Sequence, residues 1–95
     1  MGKDLLKIIN HYRVMPQLKY FQSEVFELNE AIIEVETKKY FDNTMLNTDH
    51  ITEEIADVRV MLEQFIEYYN IDRTEIAKIM NEKIERQLKR IEESK

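Results

Sequence analysis

A chain of 95 residues with 43% hydrophobic and 35% charged residues, one Gly and one Pro is long enough for one modest core. It lacks the turn-forming residues of a sandwich or barrel, so a single all-α domain over residues 1–95 is expected. With no cysteine it holds no disulfide framework, thiolate zinc site or cysteine nucleophile, and a net charge of −5 argues against a nucleic-acid polymer as partner.

Four helices are predicted in chain order. The first runs from about Lys3 to Arg13 and offers Leu5, Ile8, Ile9 and Tyr12 as its inner face. Met1 to Tyr12 has no continuous apolar centre of the kind a signal peptide needs, and Leu6 stands where myristoylation favours Ser or Thr. Apolar runs elsewhere reach only a few residues, short of a membrane span. A soluble, cytoplasmic protein with no membrane partner is therefore expected. Pro16 suits the first turn of a second helix that continues to about Tyr40. Its apolar stripe is Leu18, Phe21, Val25, Leu28, Ile32 and Val35. Between Phe41 and Asp49, the residues Asp42, Asn43, Asn47, Thr48 and Asp49 compete for backbone hydrogen bonds and predict a loop. Thr48 or Asp49 caps a third helix that ends near Asn70, with the stripe Ile51, Ile55, Val58, Leu62, Phe65 and Tyr69. Asp72-x-x-Glu75 resembles a capping box and opens a fourth helix whose Ile76, Ile79, Met80, Ile84, Leu88 and Ile91 are expected to turn inward. Phe26, Ile33, Val60, Ile66 and Ile79 add apolar surface beyond what one small bundle covers, which predicts a homodimer or homotetramer.

The two middle helices share a chemical feature. Glu24-x-x-Glu27 and Glu54-x-x-Asp57 each place two carboxylates on one helix face, with about 5–6 Å between Cβ atoms. Each acid stands one residue before a member of its helix's apolar stripe, a rotation of about 100°. Both pairs thus border the seam on the same side. If the helices pack antiparallel through their stripes, Glu24, Glu27, Glu54 and Asp57 face one another across a groove, and four carboxylates there form a candidate metal site.

Carboxylate oxygens without His or Cys form a hard donor set, suited to Mg²⁺ or Mn²⁺. Such ions are commonly shared with substrate phosphates, so a nucleoside triphosphate fits as ligand and metal-assisted hydrolysis as reaction. Glu27, Glu54 and the neighbouring Glu53 are the catalytic candidates; Glu53 or Glu30 suits the orienting of a water. Lys83 and Arg86, with Arg90, recur at steps of three and four on the last helix and offer cationic donors to phosphate. Tyr12, Phe21 and Tyr68 are candidates to stack on a base, while His11 and His50 fall at helix edges.

Gln22-Ser23-Glu24-Val25-Phe26-Glu27-Leu28, then Glu53-Glu54-Ile55-Ala56-Asp57-Val58, then Asn81-Glu82-Lys83-Ile84-Glu85-Arg86 resemble the MazG-like branch of the all-α nucleoside triphosphate pyrophosphohydrolases. That family carries an E-x-x-E helix, a variable connection (26 residues here), an E-x-x-D helix and a later helix with a lysine. The likeness covers about Leu18 to Ile91. It implies a four-helix, MazG-like bundle completed by oligomerisation, with the groove finished by the neighbouring chain. It also implies Mg²⁺-dependent cleavage between the α and β phosphates, giving the nucleoside monophosphate and pyrophosphate. Glu24, Glu27, Glu54 and Asp57 would then be the metal ligands and Lys83 the phosphate-side lysine, with Arg86 a looser match. Ser23 and Phe26 depart from the family, where an acidic and a small residue are common. Two other readings of the residues stay open: a non-enzymatic helical interaction module, and a regulatory subunit that binds nucleotide without cleaving it.

Overall fold

A computed structural model describes residues 1–41 and 47–95; Asp42 and Asn43, which belong to the expected loop, lie outside the described residues. Among those described there are four helices: α1 (Gly2–Tyr12), α2 (Val14–Phe41), α3 (Asp49–Tyr68) and α4 (Arg73–Glu93). None of them is long and apolar enough to cross a membrane.

The joints explain the boundaries. One residue, Arg13, separates α1 from α2: its N–H donates to the Ile9 carbonyl at 2.8 Å and its own carbonyl accepts from Gln17 at 3.1 Å. It holds φ 77° and ψ 156°, a conformation that disfavours every side chain but hydrogen. Pro16 then falls in the first turn of α2, where a missing N–H leaves no gap in the helical ladder. At the start of α3 the Thr48 side chain makes no capping bond, and the Asp49 N–H donates instead to Asn47 Oδ1 at 2.9 Å. The end of α3 is a Schellman turn. Ile71 N–H reaches the Ile66 carbonyl at 3.0 Å and Asn70 N–H the Glu67 carbonyl at 3.2 Å, with Asn70 at φ 51°. Asn is one of the few residues that enters that region readily. Asp72 caps α4 by accepting from Thr74 N–H at 2.8 Å; the return bond from Glu75 that a full capping box requires is not formed among the described residues. Arg73 bridges the joint, its guanidinium 2.6 Å from Glu63 and 3.2 Å from Glu67.

The packing inverts the order of burial that the apolar stripes predict. Gln17 meets Gln64 and Glu24 meets Glu54, so α2 and α3 run antiparallel, and α1 lies mainly against α3. The most deeply buried residues are Leu5 and Ile9 on α1, Gln17, Glu24 and Ala31 on α2, and Glu54, Met61 and Gln64 on α3. The line of closest approach therefore runs through the row that carries the acids, rather than through the stripe beside it. Phe21, Val25, Leu28, Ile51, Val58 and Phe65 are half-buried, whereas Leu18, Ile32, Ile55 and Leu62 stay exposed. Ile8 and Tyr12, expected on the inner face of α1, are exposed as well.

The second correction concerns α4. Its Ile79, Met80, Ile84, Leu88 and Ile91 are 41–57% exposed and only Ile76 is half-buried, so the face expected to turn inward faces out. The radius of gyration, 17.2 Å, exceeds the roughly 12 Å of a compact domain of this length. The helix extends from the three-helix unit and does not close a bundle with it. Periodicity gives α4 an apolar face, but nothing among the described residues covers that face.

Candidate functional site

Antiparallel pairing brings the i, i+3 acids of two helices to one level. Carboxylate oxygens of Glu24, Glu27 and Glu54 lie within 4.8 Å of one another. Glu24 is 5% and Glu54 7% exposed, while Glu27 is open to solvent. Buried carboxylates need partners, because lost hydration costs more than a neutral group would. Glu54 Oε1 has His50 Nε2 at 3.2 Å, but Glu24 Oε2 and Glu54 Oε2 are buried with no hydrogen-bond partner. Two unpartnered buried oxygens beside a third carboxylate form a donor set that could hold a cation.

The electrostatics agree with the geometry. Burial, followed by the charges of Glu27, Asp57 and Glu24, pushes the Glu54 carboxyl above its ordinary range, against the opposing pull of His50. Interaction with the nearby Glu24 carboxylate raises the Tyr20 phenol above its ordinary range. Asp57, the fourth expected ligand, is exposed and outside the close trio. It is near enough to act on both groups through its charge.

Next to the trio opens a cavity of about 560 Å³, within the size range of small-molecule sites. Glu24 and Asp57 stand on its wall together with Tyr20 and Tyr12. Ile8, Pro16, Val60 and Met61 supply apolar surface, and Gln17 and Gln64 a polar edge. Three helices contribute: the short Arg13 joint is what folds α1 back beside the α2–α3 pair so that Ile8 and Tyr12 reach this wall.

The other sequence candidates fall elsewhere. Tyr12 lines the cavity, but Phe21 packs edge-on against Phe65 at 5.8 Å between ring centroids, and Tyr68 stands edge-on to Tyr69 at 5.0 Å; neither is on the cavity wall. Glu53 and Glu30 are exposed and outside the acid trio. Lys83 and Arg86 are exposed on α4, which adds no residue to the cavity. Tyr20, Gln17 and Gln64 are cavity residues that sequence reasoning did not single out as site residues. Tyr20 precedes Glu24 by four residues and Gln17 precedes it by seven, so both lie in the row of the acid. That placement was the available signal.

Comparison with known protein families, with curated proteins and with solved structures gives no match for the chain.

Proposed function

We propose that this chain is a divalent-metal-dependent nucleoside triphosphate pyrophosphohydrolase of the MazG-like kind, cleaving between the α and β phosphates. The observation that carries it is the trio Glu24, Glu27 and Glu54, with two buried oxygens lacking partners, at the side of a nucleoside-sized cavity. Those three would hold the ion, with the Asp57 carboxylate adding negative charge beside them. An all-carboxylate set fits Mg²⁺, or Mn²⁺, better than zinc or copper. When bound, such an ion supplies charge neutralisation of phosphate oxygens and activation of water.

The chain's own residues have separable tasks. Tyr20 stands with Glu24 on the cavity wall, and His50 holds Glu54 from the helix N-terminal side. Glu27, open to solvent, is the member placed to orient a water, with Glu53 one residue before Glu54 as the outer candidate. Tyr12 and Tyr20 offer aromatic surface to a base. Cations for the phosphates are supplied by Lys83 and Arg86: residues 73–95 carry seven Lys and Arg against five Glu, whereas residues 1–72 carry seven against fourteen acids. An exposed, basic, half-apolar helix suits delivery of those cations by a second copy, which would also cover Ile79, Met80, Ile84, Leu88 and Ile91.

That same exposed face of α4 is also what a non-enzymatic interaction module would present. The two functions separate in one assay. Incubated with Mg²⁺ and a panel of standard and modified nucleoside triphosphates, the folded protein is expected to release pyrophosphate from at least one; no release across the panel refutes the hydrolase.

A further inference from the structure

Two turns of α2 before Glu24, the cavity wall changes character. Gln17 and Gln64 are 7% and 2% exposed, and both line the cavity. A chain of hydrogen bonds fixes their orientation: Gln64 Nε2 donates to the Met61 sulfur at 3.6 Å, and Gln64 Oε1 accepts from Gln17 Nε2 at 2.7 Å. The chain runs in one direction and ends at Gln17 Oε1, to which no described residue donates. Unlike Glu24 Oε2 and Glu54 Oε2, Gln17 Oε1 is not sealed from solvent, so the free end of the hydrogen-bond chain stays accessible to a ligand. That end lies on a cavity wall, beside Tyr12 and Tyr20, whose rings are about half exposed at 56% and 55%.

We infer, building on the nucleotide cleavage proposed above, that Gln17 Oε1 is the acceptor that reads an amino or imino N–H on the edge of the nucleobase. Gln64 is the positioning residue that keeps that oxygen facing the cavity. Seven residues separate Gln17 from Glu24, about 10 Å along the helix at 1.5 Å per residue. A ligand that engages both must be long, with a planar donor-bearing ring at one end and anionic groups at the other. Ile8, Pro16 and Val60 add apolar wall to the same cavity, against which a planar ring can pack. Sites built to hydrogen-bond a group reject analogues that lack it far more strongly than sites built on shape alone.

Calorimetric titration decides this. The probes are non-hydrolysable triphosphates of adenine, cytosine, guanine and uracil in Mg²⁺, each beside a counterpart whose edge N–H groups are methylated. The expected result is that at least one natural base binds about 10–100-fold tighter than its methylated counterpart, the loss that follows when a bound ring covers an acceptor without pairing it. Gln17→Met is expected to level that difference while leaving the affinity for inorganic tripolyphosphate unchanged. Equal binding of natural and methylated bases, or a difference that survives Gln17→Met, overturns the assignment. Pyrophosphate release from natural triphosphates, measured in parallel, separates the two claims: release without discrimination sinks the reading of Gln17 alone, discrimination without release sinks the hydrolase alone, and neither sinks both. Should circular dichroism show Gln17→Met unfolded, Gln64→Met takes its place: a fall in discrimination supports the assignment, and an unchanged ratio overturns it.

Discussion

Replacing Glu54 by Gln keeps the shape of the acid trio and removes one of its charges. Glu54 is 7% exposed with one oxygen unpartnered, and its carboxyl is held above the ordinary range by burial and by Glu27, Asp57 and Glu24. A raised folded-state pKa means that the folded chain binds more protons than the unfolded one, so stability falls as pH climbs. The penalty is absent below the ordinary glutamate range and complete above the raised value. The metal-free variant is therefore expected to melt higher than the parent near neutral pH, with the gap closing on acidification. Divalent cation reverses the order. At Mg²⁺ a hundred times its Kd the parent gains about 2.7 kcal/mol, which is roughly 10–20 °C in Tm for a domain of this size. The trio with two anions in place of three is expected to gain only a few degrees. Scanning calorimetry with Mg²⁺ or Mn²⁺, against an EDTA control and across pH, reads both effects. A parent unmoved by millimolar amounts of either ion, or a variant stabilised as much as the parent, would refute the metal site.

Glu27→Gln is expected to abolish pyrophosphate release at a stability cost within about 0.5 kcal/mol, since Glu27 is exposed; retained turnover in a steady-state assay counts against its role. Ile9, 0% exposed, is the most buried large side chain of a small core, so Ile9→Ala is expected to cost about 2–5 kcal/mol in urea titration, and a cost under 1 kcal/mol would mean that α1 does not pack as described. Arg13→Gly relieves the φ 77° backbone and is expected to raise stability by about 1 kcal/mol, the 1–3 kcal/mol of strain less the added flexibility of Gly in the unfolded chain; a lower Tm would show that the joint is not strained.

Much of the architecture was legible in the residues. Steps of three and four marked α2 and α3 to within a few residues, and Asp72 announced the start of α4. The acid trio was legible for the same reason, because i, i+3 spacing in matched register leaves few other places for Glu24, Glu27 and Glu54. The line of closest packing was not, because hydropathy ranks Leu18 and Ile55 above Glu24 and Glu54, whereas burial is decided by where two helix axes approach. Amphipathic spacing says that a face of α4 is apolar, but is silent on what lies against it. Gln17 escaped because glutamine neither marks a stripe nor breaks a helix; only its distance of seven from Glu24 and fourteen from Ala31 placed it on the seam.

A seam made of glutamines and glutamates differs in kind from a row of leucines. Interchangeable apolar side chains let one helix slip past another with little to tell the positions apart. Here a slide of one turn, about 5.4 Å, would part Gln17 from Gln64 and carry Glu24 away from Glu54. The polar line works as a ruler between α2 and α3, and the helix pair has one length setting at which all its marks coincide.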